Sequence, residues 1–471
     1  MTERPDPRAQ RDHGPAKARR KRRFSSPLLL AALVFGFAQP AAAQQNTPAQ
    51  TGATLFQNVR VFDGKSAVLS PPSNVLVRGN LIERVSASSV PADANTRVID
   101  GGGRVLMPGL IDAHWHAMLI ALPPADTITG DVGYSNLVAA DEAKATLLRG
   151  FTTVRDVGGP VFGLKRAIDE GYYTGPRIYP SGAMITVTSG HGDFRSLSDL
   201  PRQIGGPPTR GEQIGGFAIA DSPDEVRVRV REQLMQGASQ IKLTGGGGVS
   251  SPFSPIDVVT FTEPELHAAV EAAHNWGTYV AVHAFTPEAI EVAVAAGVKC
   301  IEHGFLMNEA DAKLIASKGI WLSMQPLPEE MRTGLPEGSV QRAKAEEVWP
   351  GIARSYALAK KYKIKTAFGT DVLFSRALAA RQGAILASLT RWYTPAETLI
   401  MATSTNGELL RLSGLRNPYP GMLGVVQEGA YADLLLVDGN PLVDINLIAD
   451  PAKNFRIIMK DGKIYKDTLS Q

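Results

Sequence analysis

Between residues 108 and 420 short apolar runs, of the kind that form strands buried on both faces, alternate with longer stretches rich in Ala and Glu. That alternation confines the middle of the chain to a parallel α/β fold. Strands are expected at 110–116, 152–157, 177–182, 240–245, 279–284, 300–304, 321–325 and 366–372, with segments such as 264–276 and 287–296 supplying helices between them. Parallel neighbours need crossover connections, and eight such units over roughly 300 residues fit a closed (β/α)₈ TIM barrel better than an open sheet. Two connections, 185–222 after the third strand and 246–262 after the fourth, are unusually long and heavy in Gly, Ser and Pro. At the C-terminal side of barrel strands, loops of that length overhang an active site.

The ends of the chain have another texture. From residue 54 to about 107, period-two alternation such as Leu55-Phe56-Gln57-Asn58-Val59-Arg60-Val61 is broken by Asp63-Gly64, Pro71-Pro72 and Gly79-Asn80, and the pattern returns at 431–437 and 455–459 with an Asp461-Gly462 turn. Both termini are therefore expected to close one small β-sandwich, residues 52–107 plus 421–468, beside a barrel of residues 108–420. Residues 1–43 carry a basic cluster at 19–23, an apolar run at 28–38 and Ala41-Ala42-Ala43, the pattern of a signal peptide cut after Ala43. The apolar run falls short of the roughly 20 residues that span a bilayer, so a periplasmic or secreted protein without a stable membrane anchor is expected; Sec and twin-arginine export stay open. This segment holds nine of the 49 Lys and Arg and three of the 46 Asp and Glu, which leaves 40 bases, 43 acids and a net charge of −3. Nothing in that balance points to a nucleic-acid partner. The single cysteine, Cys300, excludes an internal disulfide and reads as a small buried hydrophobe.

Polar residues at the ends of otherwise apolar strands carry the chemistry. His114 and His116 lie two apart on the first strand and so face one way, a spacing that a shared target explains and that coincidence also produces. His283 and His303 end the fifth and sixth strands and Asp371 closes the eighth, all at the barrel's catalytic rim. Four imidazoles and a carboxylate converging there would be costly to bury without a metal. Lys242 sits near the end of the fourth strand, where an ammonium beside cations would be repelled; it is deprotonated, carboxylated by CO₂, or a snorkelling lysine with an ordinary salt bridge. His191, flanked by glycines in the long third loop, is either a ligand-contacting residue or a solvent-exposed one. His267 and His274, on one helix, read as structural.

Taken together, Pro108-Gly109-Leu110-Ile111-Asp112-Ala113-His114-Trp115-His116, Thr153-Val154-Arg155-Asp156-Val157-Gly158-Gly159, Ser189-Gly190-His191-Gly192-Asp193, Ile241-Lys242-Leu243-Thr244, Val282-His283-Ala284, Ile301-Glu302-His303-Gly304 and Gly369-Thr370-Asp371 resemble the amidohydrolase superfamily. The resemblance is to its prolidase-like, imidazolonepropionase-related branch with ochratoxin-type amidases, and it covers about residues 54–465. It implies two divalent ions, zinc by the donor mix: His114, His116 and Asp371 on one, His283 and His303 on the other, with carboxylated Lys242 and a hydroxide bridging them. It further implies Asp371 as the proton shuttle and His191 as a donor to the substrate carbonyl, in a homo-oligomer that cleaves an amide or peptide bond in a small substrate with a free carboxylate, as a dipeptidase or N-acyl-amino-acid amidase does. Arg155 and Tyr173, and further afield Tyr172, Arg195, Arg376 and Arg381, are candidates to hold that carboxylate. Hydrolysis of cyclic amides or lactones and a non-catalytic binding barrel are the alternatives, since a barrel alone does not fix a reaction.

Overall fold

The computed structural model describes residues 52–201 and 206–469; the export signal expected over 1–43 lies outside them. Eight barrel strands stand where the apolar runs place them: Leu110–Trp115, Phe151–Asp156, Arg177–Pro180, Ile241–Thr244, Val280–Ala284, Cys300–His303, Trp321–Met324 and Thr366–Phe368. Neighbours pair in parallel from the first to the third and from the fourth to the eighth. The third strand is split. Its first half pairs with the second strand, and a following piece, Met184–Thr186, pairs through Ile185 with Leu243 of the fourth. Gly182, at φ +77°, makes the break between the two halves.

Side chains weld the two seams that few ladder bonds cross. Between the third and fourth strands the Gln240 amide donates to the carbonyls of Tyr179 (2.9 Å) and Asp156 (3.2 Å), and Ser239 N donates to Pro180 O at 2.7 Å. Between the eighth and the first, buried Asn406 donates from Nδ2 to Ile111 O and Phe368 O, both at 2.8 Å, and accepts from Phe368 N at 3.0 Å. Asn406 follows directly on a π turn, Met401–Thr405, a local irregularity that often marks function. Asp112, also buried, accepts from Thr370 N, Thr370 Oγ1 and Gln382 Nε2 across the same seam.

The long third connection contains structure that alternation did not reveal: helix Arg210–Gln213 and strand Phe217–Ile219, which pairs with Met184–Thr186. The terminal segments form one eight-stranded sheet, and its edge strand Leu81–Ser86 is tied back by Ile82 N to Ala430 O and Ala432 N to Asn80 O. Closure encloses a core of residues from both ends, including Phe56, Val75, Leu434 and Ile457, which is the expected sandwich. No helix among the described residues is long and apolar enough to cross a membrane.

Candidate active site

At the C-terminal mouth of the barrel, His114, His116, His191, Lys242, His283, His303 and Asp371 all line one cavity of about 210 Å³. Local geometry explains how each arrives there. The register between the first and second strands slips by one residue between Asp112 and Trp115, and this bulge re-aims the chain so that the His114 and His116 rings meet edge-on, 5.3 Å apart. His303 (φ +74°) and Asp371 (φ +50°) both adopt the left-handed conformation that costs a side-chain-bearing residue energy, a strain that concentrates at functional sites. The eighth strand ends at Phe368, so Asp371 lies past it rather than closing it, fixed by Asp371 N to His114 O at 2.9 Å. Gly369 permits this approach: a Cβ there would stand 2.3 Å from His114 Cβ.

Each of the four clustered imidazoles spends one nitrogen on a protein acceptor. Nδ1 of His114 meets Glu302 Oε2 at 2.7 Å, Nδ1 of His116 meets Gly158 O at 3.1 Å, Nδ1 of His303 meets Gln325 Oε1 at 2.6 Å, and Nε2 of His283 meets Gly247 O at 2.9 Å. In the neutral ring such an acceptor takes the N–H, which leaves the opposite nitrogen with a lone pair. Nε2 of His114 and of His116 each stand 3.3 Å from Asp371 Oδ1, and His283 Nδ1 is buried without a hydrogen-bond partner. His114, His303 and Asp371 bring ligand atoms within 4.8 Å of one another. Burial, with His303 beside it, pushes His283 well below the ordinary histidine range, and burial next to His114 takes His303 to about 3, so both rings are neutral donors. Lone pairs aimed at one space, each backed by a fixed acceptor, are the donor set that divalent metal requires, and the residues fit.

Lys242 is 2% exposed and has no hydrogen-bond or ion-pair partner among the described residues. Burial depresses its pKa, and a side chain so buried without a partner is neither a snorkelling nor a salt-bridged lysine. His191 is half-buried, its ring 4.3 Å from that of His283 and its Nδ1 3.1 Å from Ser251 Oγ; burial, then His283, holds its pKa well below the usual value. Ser251 also accepts from Gly192 N at 2.7 Å, and buried Lys344 donates to Ser251 O at 2.8 Å, so one brace links the loops after the third and fourth strands to the helix Val340–Lys361.

The carboxylate-binding candidates are corrected by their surroundings. Arg155 is 0% exposed and spends its guanidinium inside the barrel, on Glu302 Oε1 (2.7 Å), Ser323 Oγ (3.1 Å), Tyr279 OH (3.2 Å) and Ala113 O. Tyr173 is 47% exposed, and with Tyr172 it follows the helix Phe162–Asp169 in the turn that leads into the third strand, at the opposite end of the barrel. Arg195 is bonded to Asp193, Arg376 to Asp141 and Arg381 to Glu330. Among the described residues no arginine or tyrosine lines the cavity. Its wall beyond the polar floor is apolar, with Phe305, Leu327, Met331 and Trp349 among the contributors. Cys300 is buried as expected, yet its Sγ contacts Glu302 Oε1 at 3.2 Å and so belongs to the polar network behind His114. His267 and His274 lie on the exposed side of helix Glu263–Asn275, outside the cavity. Sequence reasoning missed Asp112, Glu302, Gln325, Ser251 and Asn406. Two of them had a signal, since Asp112 sits two residues before His114 and Glu302 directly precedes His303.

The family model for the amidohydrolase family matches residues 105–466. The chain is 30% identical to an ochratoxinase of Aspergillus niger over 385 residues, 77% of this chain and 76% of that protein. Among solved structures it is similar to an amidohydrolase at 35% identity and to a prolidase complexed with N-methylphosphonate-L-proline at 33%, each with a TM-score of 0.81 over 88% of this chain and 100% of the other.

Proposed function

The chain belongs to the amidohydrolase family and hydrolyses C–N bonds, and from that premise we propose that it cleaves an amide or peptide bond in a small substrate, as a dipeptidase or N-acyl-amino-acid amidase. One observation carries the reading: four imidazoles with one nitrogen fixed by the protein turn the other toward the space beside Asp371 and Lys242. His114, His116 and Asp371 would hold one divalent ion and His283 and His303 the other, with Lys242 as its carbamate between them. The ions, zinc by the donor mix, supply Lewis acidity that lowers the pKa of water and polarises a scissile carbonyl. Asp371 accepts the proton of the attacking water at its carboxylate and delivers it to the leaving nitrogen. His191 donates to the carbonyl oxygen as negative charge develops there, from a ring held in place by Ser251.

With the expected arginines engaged elsewhere, the polar side chains that line the cavity outside the cluster, among the described residues, are His191, Ser250 and the indole of Trp349, and a free substrate carboxylate is received at that side. The apolar wall then takes a bulky hydrophobic moiety, since burying it there gains about 25 cal/mol per Å². The test combines elemental analysis of the purified protein with a panel of dipeptides, N-acyl amino acids, lactams and lactones. Two bound transition-metal equivalents with turnover of the linear amides are expected. Turnover confined to the cyclic substrates overturns the substrate class, and a protein that stays inactive after zinc and bicarbonate are added overturns the mechanism. The lysine carbamate has its own check: Lys242→Ala loses the second metal and regains part of it with a short-chain carboxylic acid, and unchanged stoichiometry refutes the bridge.

A further inference from the structure

The clustered imidazoles are not equivalent. Those of His116 and His283 rest on neutral backbone carbonyls and that of His303 on a neutral amide, whereas His114 alone is backed by a carboxylate, Glu302. Glu302 is in turn held by Arg155 at 2.7 Å, and both residues are wholly buried in the barrel interior beneath the cavity. A buried ion pair is a poor device for stability, because apolar residues of similar volume commonly do as well or better. Arg155 also ties Ala113 O, Tyr279 OH and Ser323 Oγ, so its guanidinium is fixed from several strands and can orient Glu302 with little freedom. A carboxylate accepting from Nδ1 fixes the tautomer, orients the ring and makes Nε2 a stronger electron donor.

We infer that Arg155 and Glu302 form a buried relay that acts through His114, as positioning residues, to make the metal position served by His114 the tighter of the two. The inference rests on the proposed metal-dependent reading, and the experiment separates the two. Zinc binding to the apo full-length protein is measured by chelator competition, alongside its melting temperature without metal, for wild type, Glu302→Gln and the charge-neutral double variant Arg155→Met/Glu302→Gln. Wild type is expected to bind two equivalents with unequal affinities. Glu302→Gln should weaken the tighter equivalent on the order of 10- to 100-fold, as loss of a supporting carboxylate typically does. The weaker equivalent should stay within about twofold of wild type. Glu302→Gln leaves Arg155 as an unpaired buried cation, so where that variant fails to fold the double variant decides, and the same selective loss is expected of it. Unchanged zinc affinity, or equal loss at both positions, overturns the relay while leaving the hydrolase reading intact. A wild type that binds no divalent metal overturns the hydrolase reading itself.

Discussion

Replacing Asn406 by Ala tests whether one side chain closes the barrel. Asn406 is fully buried and makes three hydrogen bonds across the seam between the first and eighth strands, two donated to Ile111 O and Phe368 O at 2.8 Å and one accepted from Phe368 N at 3.0 Å. Each lost bond removes about 1 kcal/mol net, and a buried backbone group left unpaired costs about 1–3 kcal/mol, so the variant should lose roughly 3–5 kcal/mol. At about 2.1 cal/mol/K of unfolding entropy per residue, some 400 ordered residues give about 0.9 kcal/mol/K, and the melting temperature should fall by roughly 3–6 °C. Differential scanning calorimetry of the metal-free protein reads this directly. The same seam sets His114 against Asp371, through Asp371 N to His114 O at 2.9 Å, so turnover should fall along with stability. A drop in melting temperature below about 1 °C would show that the ladder closes without Asn406 and would refute the argument.

Three further outcomes are expected. Asp371→Asn keeps an oxygen ligand but loses the proton acceptor, so bound metal should persist while kcat falls on the order of 10²- to 10⁴-fold; near-normal kcat rejects the assigned role. In Gly248→Ala the new Cβ would stand 2.1 Å from His191 Nδ1 and push the ring aside, so kcat should fall on the order of 10²-fold with metal content unchanged, and wild-type turnover contradicts the placement of His191. Lys460 is lowered to about 8 by burial and by Arg177 beside it, and donates to Gly175 O at 2.8 Å. Below pH 8 this lysine is protonated in both states and carries the full penalty of burying its charge, whereas between pH 8 and its ordinary 10.5 the native state sheds a proton that the unfolded chain still binds, so the penalty fades across that window. The stability advantage of Lys460→Met over wild type should therefore shrink by up to roughly 3 kcal/mol across that window, and a gap that does not change with pH counts against it.

Much of this protein is legible in order along the chain. Strand-length apolar runs separated by helical stretches dictate parallel strands with crossovers, and the eight observed strands fall within a residue or two of the expected ones, except that the eighth ends early at Phe368. The metal-type residues are legible for the same reason, because a histidine at the end of a buried strand has few neighbours that would tolerate it without a job. Alternation could not show the split third strand or the strand Phe217–Ile219, since runs of three or four residues amid Gly and Pro carry too little periodicity.

The sequence by itself determined the barrel, the terminal sheet and the identity of the residues at the mouth, because periodicity and residue chemistry are local properties. Tertiary structure alone decided what each side chain touches. Arg155 is as suitable for a carboxylate as any loop arginine until the fold buries it against Glu302, 147 positions along the chain. Asn406 is an ordinary helix asparagine until the closing barrel sets two unpaired strands on either side of it. Hydrogen bonds act over about 3 Å of space, whatever the separation along the chain, and only the folded backbone converts one distance into the other.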